Sequence, residues 1–217
     1  MNRDATIAPS GGVLICFAIK EEAKPFLRTA AFQRATILIT GMGEQNAGRE
    51  LRRFLTTVQP KLILTCGFAG GLNPTLPTGA VLFSEDESNL TRSLLAAGAT
   101  PATFFCAKQV AITAHEKSEL HSVTKADAVE MESGVIRRIA KECGIPSATI
   151  RVISDTANED LPVDFNLLMT AQSEIDLSKL VLHVLLKPWK IPALLRLQKK
   201  TRGAAENLSR VLNSLPI

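Results

Sequence analysis

No apolar run in this chain approaches the roughly 18 residues that a membrane-crossing helix needs, so no transmembrane segment is expected. No CxxC pair is present. Cys16, Cys66, Cys106 and Cys143 lie far apart, which argues against a metal site or a disulfide frame and predicts buried, reduced thiols. The apolar stretch from Val13 to Ile19 is short, and Lys20-Glu21-Glu22 follow at once without a small-residue cleavage pattern. A secretory signal is therefore not expected, and the cytoplasm is. A strong overall charge is also missing. The formal net charge of +4 divides unevenly: residues 179–217 hold eight Lys/Arg against Glu206 alone, a net of +7, while residues 1–178 hold 17 Lys/Arg and 20 Asp/Glu, a net of −3. An acidic body with a basic end argues against a nucleic-acid partner and leaves room for a local anionic one.

What is there fits one α/β domain. With 217 residues, 46% of them hydrophobic and 21% charged, the chain can bury a full core and a pocket and is not a disordered sequence. Strand-like runs at Val13–Ala18, Thr36–Thr40, Leu62–Cys66, Gly79–Ser84, Gln109–Thr113, Ala128–Val129 and Ser147–Ser154 alternate with helical patterns. The helices are expected to start near Glu21, to run over about 46–57, and to run from Glu132 to the Gly144-Ile145-Pro146 stop. That alternation predicts a largely parallel or mixed sheet flanked by helices. Residues 1–178 form the expected catalytic domain, and 179–217 a basic, apolar helical segment packed on it or extending from it, with breaks at Pro188 and Pro192.

Two glycine clusters, Gly41-Met42-Gly43 and Gly67 to Gly71, read as strand–turn–helix junctions where main-chain N–H groups approach a ligand. Neither is a dinucleotide fingerprint, because Asn46 stands where the third glycine belongs and no acid follows at the required distance. No Walker lysine pattern occurs. Each cluster alone reads as a tight turn, but two at strand ends favour a shared pocket.

Carboxylates at strand ends stand out. Glu22 follows the first strand, Glu130 and Glu132 flank Met131, and Asp155 ends the run Arg151-Val152-Ile153-Ser154-Asp155. A carboxyl held there can be partly desolvated and used for proton transfer. Helix capping by Glu22 and Asp155, and a solvated face for Glu130, explain the same residues equally well.

Four segments resemble the purine nucleoside phosphorylase/nucleosidase superfamily, including its MTA/SAH nucleosidases: Ala18-Ile19-Lys20-Glu21-Glu22, Thr40-Gly41-Met42-Gly43, Gly67-Phe68-Ala69-Gly70-Gly71-Leu72, and Glu130-Met131-Glu132-Ser133 with Arg151-Val152-Ile153-Ser154-Asp155. A narrower likeness, through Ile112-Thr113-Ala114-His115-Glu116-Lys117-Ser118-Glu119-Leu120 and the Leu185–Leu197 tail, is to the hopanoid-associated phosphorylase-like family, whose members remove adenine from adenosylhopane. The resemblance implies a single-domain fold with a twisted mixed sheet and cleavage of a nucleoside N-glycosidic bond. It implies Asp155 as the acid at purine N7 with Ser154 orienting it, Glu132 and Met131 at the ribose, and Glu22 as the base that activates water. Gly43, Phe68, Ala69 and Gly70 would line the pocket. Arg151 would pair with Glu132 or a neighbouring acid, or meet an anion. No cofactor or metal is implied, only phosphate as co-substrate if the cleavage is phosphorolytic.

Departures from the family pattern matter. Phe68 replaces a serine that binds the nucleophile in many relatives, and the loop that stacks the purine is not apparent. Phe104, Phe105 and Phe165 are the aromatic candidates for that task, and His115 reads as a helix-start residue. The expected partner is a small or lipid-linked nucleoside, and a homo-oligomer, by preference a dimer, is expected. Residues 180–202 carry Trp189 among leucines and cations, which suits peripheral contact with anionic lipid as well as packing on the domain. A catalytically silent nucleoside-binding or membrane-associated module is the alternative of another class.

Overall fold

Runs of Leu, Ile, Val and Thr pair into one mixed sheet in the computed structural model, which describes residues 12–85, 90–168, 170 and 185–216. The elements follow in the order β1 (Val13–Phe17), α1 (Lys20–Ala23), β2 (Ala35–Ile39), α2 (Gly43–Leu55), β3 (Leu62–Gly71), β4 (Val81–Glu85), α3 (Thr91–Ala96), β5 (Thr100–Pro101), β6 (Phe104–Cys106), α4 (Ala114–Thr124), β7 (Ala128–Glu130), α5 (Ser133–Glu142), β8 (Ser147–Asp155), α6 (Phe165–Leu168) and α7 (Ile191–Ser214). The main strand order is β2-β1-β3-β8-β4-β5. β1 lies parallel to β2 and β3, β3 parallel to β8, and β4 antiparallel to β8. The far end of β3 leaves β1 and pairs antiparallel with β7, which also carries β6.

Both faces of the central strands are covered, so β1 and the start of β3 read as nearly continuous apolar runs, while β8 alternates polar and apolar residues from Ser147 to Val152 and is buried throughout. On one face Leu14 and Cys16 pack with Leu51 of α2 and Ile136 and Ile139 of α5. On the other, Ile15 and Phe17 pack with Phe26 and with Leu208 and Leu212 of α7. The C-terminal half of α7 is thus part of the main core.

Several expectations need correction. Gly67 to Gly71 do not turn into a helix. They continue β3, because their N–H and C=O groups find partners in β7 and β8. Residues 109–113 form no strand; the Val110 main chain pairs with the Asn166 side chain instead of a neighbouring strand. The helix at Glu21 is one turn long before Pro25 opens a 3-10 turn over Phe26–Arg28. Pro192 does not break a helix. It sits in the first turn of α7, where its missing N–H has no intrahelical partner to lose. Cys16 and Cys66 are buried, but Cys106 and Cys143 are exposed. Of the segment expected at 180–202, residues 180–184 lie outside the described residues.

Candidate active site

The pocket lies at the C-terminal ends of β1, β3 and β8, beside the end of β7. Strand ends in open α/β sheets are where ligands bind, since the loops there are free to diverge. Pairing between β1 and β3 stops at Phe17 and Cys66, which leaves the next N–H groups without strand partners. Glu22 satisfies them. Its Oε2 accepts the N–H of Ala18 at 2.9 Å and of Ile19 at 3.1 Å, and its Oε1 accepts the N–H of Phe68 at 2.8 Å. Glu22 therefore caps α1 and faces the pocket at once. Burial pushes its carboxyl up to about 7, against the pull of Arg151.

Gly67 makes this geometry fit. Its φ is +150°, and a Cβ there would stand 2.5 Å from Glu22 Oε1 and 2.7 Å from an Arg151 guanidinium nitrogen. Arg151 is 1% exposed in a strand that is buried throughout. Its guanidinium donates to Glu130 Oε2 at 2.5 Å, Glu132 Oε2 at 3.2 Å and Thr65 Oγ1 at 3.3 Å. A buried cation needs such partners to offset its desolvation.

The two glutamates beside it differ in environment. Glu130 also accepts the N–H of Glu132 and Ser133 at the start of α5, together with the Ser133 hydroxyl, and it contacts the Cys106 thiol. Burial raises its carboxyl, but Arg151 and these hydrogen bonds prevail and hold it below the usual range. It is 4% exposed, so it is not the solvated residue that sequence allowed. Glu132 is pushed the other way, by burial and by the Glu130 charge. Its Oε1 accepts the Gly43 N–H at 2.9 Å.

At the end of β8 an irregularity lets Ala69 face Ile153 and Gly70 face Asp155, so Ser154 is an extra residue in that strand. Bulges of this kind re-aim side chains. The Ser154 hydroxyl lies 2.6 Å from Asp155 Oδ1. Asp155 caps no helix. Its Oδ2 accepts from the Lys117 ammonium at 2.5 Å.

Glu22, Phe68, Ala69, Gly70, Met131, Glu132, Ser154 and Asp155 all line this one pocket. Gly43 does not line it. It stands behind Glu132 and holds that carboxylate, while Met42 takes the place on the wall. Arg151 is enclosed by carboxylates beneath the pocket and is absent from its wall. Phe104 and Phe105 pack in other clusters, and neither they nor Phe165 reach the wall, which leaves Phe68 as its one aromatic among the described residues. His115 lies in the first turn of α4, exposed, as its sequence setting predicts. Lys117, Asn166 and the wall formed by Gln109, Val110 and Ala111 were not among the site residues expected from sequence. Position 117 sits in a polar helix with no apolar stripe to announce a buried side.

The model of the family described as the Phosphorylase superfamily matches residues 18–108 and 99–186. The 5′-methylthioadenosine/S-adenosylhomocysteine nucleosidase of Glaesserella parasuis is 24% identical over 183 residues, 69% of this chain and 79% of that protein. The like-named protein of Bacillus velezensis is 24% identical over 184 residues, with the same shares of each chain. Among solved structures, futalosine hydrolase of Helicobacter pylori superposes with a TM-score of 0.67 at 15% identity, over 94% of this chain and 96% of that one. The 5′-methylthioadenosine/S-adenosylhomocysteine nucleosidase of the same organism, with butyl-thio-DADMe-Immucillin-A, gives a TM-score of 0.66 at 17% identity over 95% and 98%. These neighbours share the fold of a mixed sheet flanked by helices.

Proposed function

Because the chain belongs to the phosphorylase superfamily, we propose that its pocket cleaves the N-glycosidic bond of an adenosyl nucleoside and releases adenine to water. The convergence of Glu22, Glu132 and the Ser154–Asp155 pair on one pocket carries this reading. Cleavage sends the C1′–N9 electron pair to the base, and Asp155 neutralises it by giving a proton to N7, with Ser154 orienting the carboxyl. Glu132, fixed by Gly43 and Arg151, accepts the ribose hydroxyls, and Met131 packs against the sugar. Water forms the new C1′–O bond and gives its proton to Glu22, whose carboxyl at about 7 suits a base working near neutrality.

Water is favoured over phosphate by charge. Among the described residues the wall holds Glu22, Glu130, Glu132 and Asp155 but no Lys or Arg, and Arg151 is already engaged by Glu130 and Glu132. A phosphate dianion would meet four acidic side chains there and no Lys or Arg on the wall among the described residues. The test is adenine release from adenosyl nucleosides with and without phosphate, followed by identification of the sugar. Ribose 1-phosphate as the product would establish phosphorolysis instead. No release from a broad nucleoside panel would favour a silent binding protein.

A lipid-linked nucleoside, of which adenosylhopane is the type, is the finer reading. One observation favours it. Leu185, Leu186, Trp189, Ile191 and Leu195 are exposed, Trp189 by 69%, with Lys187, Lys190 and Arg196 among them. Exposed large apolar groups interleaved with cations suit an anionic lipid surface. Co-sedimentation with anionic but not neutral vesicles is expected. A protein that ignores both and instead dimerises through this face would refute membrane contact. Adenine release from adenosine but not from adenosylhopane would refute the lipid-linked substrate.

A further inference from the structure

Helix α4 buries one residue completely, and that residue is a lysine. A helix docked on a protein body normally buries an aliphatic side chain, since taking an ammonium out of water is unfavourable unless every proton finds an acceptor. Lys117 meets that condition. Its ammonium donates to Asp155 Oδ2 at 2.5 Å, to the Glu159 carbonyl at 2.8 Å and to the Thr156 carbonyl at 3.0 Å. The turn that supplies these carbonyls is tied to the start of α4 twice more. The Ala114 N–H donates to Asp160 Oδ1 at 2.8 Å, and the Leu161 N–H donates to the Ile112 carbonyl at 2.8 Å. Lys117 does not line the pocket, whereas Asp155 does.

We infer that Lys117 is the positioning residue for the acid step, holding the Asp155 carboxyl in place and balancing the negative charge left on it by proton transfer. This rests on the hydrolytic reading above. With Oδ2 held by Lys117 and Oδ1 beside the Ser154 hydroxyl, Asp155 has both oxygens fixed before a substrate arrives. The acid proton is carried on Oδ1, the oxygen that the ammonium does not hold, and is drawn from solvent before each turnover; during the step the C1′–N9 bond breaks, its electron pair goes to the base, and that proton goes to N7. The carboxylate that remains stays hydrogen-bonded to the ammonium, which keeps its three protons. The positive charge therefore lies where negative charge develops, without touching the substrate.

The test compares two leaving groups. A purine nucleoside needs its base protonated, whereas a 4-nitrophenyl riboside expels a stable anion unaided. In Lys117→Met, kcat on the purine nucleoside is expected to fall about 100-fold with KM changed less than about threefold, while the nitrophenyl riboside reacts at nearly the wild-type rate. Lys117→Arg keeps the charge and is expected to keep most of the wild-type ratio of the two rates. It also carries the comparison if Lys117→Met does not fold. Equal losses on both substrates would reduce Lys117 to a structural residue and overturn the inference. So would an Arg variant whose rate ratio collapses, or a Met variant with undiminished purine turnover. A wild-type protein inactive on both ribosides would overturn the hydrolytic reading itself, a different result from any of these.

Discussion

The Glu22 carboxylate and the Phe68 N–H meet at 2.8 Å where strands β1 and β3 part. That bond joins two segments 46 residues apart and ties the proposed base to the pocket wall. It also explains why Glu22 is buried: the carboxylate replaces the missing strand partner. Its pH behaviour follows. With the carboxyl raised from 4.5 to about 7, the neutral form predominates below that pH and the carboxylate proposed to activate water predominates above it. kcat/KM should rise with pH through about 7 in the wild type. In Glu22→Gln the rate should fall about 10²–10⁴-fold and that limb should vanish. A pH–rate profile of both proteins checks this.

The same group gives a stability prediction of opposite sense. A carboxyl raised on folding favours the native state below its unfolded value of 4.5, and this contribution is lost as pH rises through about 7. The Tm of wild type should decline over that interval more than the Tm of Glu22→Gln. Calorimetry across the window reads the difference.

Gly67→Ala should damage the site without replacing any residue of the proposed chemistry. The added methyl would lie 2.5 Å from Glu22 Oε1 and 2.7 Å from Arg151, in a backbone conformation that side chains rarely adopt. A loss of about 1–3 kcal/mol of stability and a large fall in kcat are expected. Denaturant unfolding and initial rates measure the two effects separately.

Arg151→Met should destabilise more strongly. It would leave Glu130 and Glu132 buried without their cation, which costs about 3–5 kcal/mol in comparable settings. A double replacement, Arg151→Met with Glu130→Gln, should recover part of that loss. A double-mutant cycle in urea tests the coupling.

The mixed sheet and its flanking helices were legible in the sequence because β1 and the start of β3 are apolar runs, β3 ending on glycines, and β8 is a strand-like run ending in Ser154-Asp155, each set between helical patterns. The short β5 and β6 were not, since two or three residues carry no period. Residues 109–113 have strand-like composition but pair with the Asn166 side chain, a tertiary contact invisible to local pattern. The acidic cluster could be located, but its division of labour could not. Glu130 and Glu132 are two residues apart, yet one caps α5 and the other is held by Gly43, 89 residues away. Lys117 escaped for the same reason, because its burial is decided by Asp155 and the turn after it. The basic end divides where composition gives no boundary. Ala204, Leu208 and Leu212 enter the core, while Trp189 and Leu195 stay exposed.

The most direct test of the central claim is the fate of the sugar when an adenosyl nucleoside is cleaved in oxygen-18 water. Hydrolysis at C1′ predicts a free sugar carrying one heavy oxygen, at a rate that added phosphate leaves unchanged and that Asp155→Asn lowers by about 10²–10⁴-fold. A phosphorylated sugar without label, or a label-bearing product formed equally fast by Asp155→Asn, would contradict it.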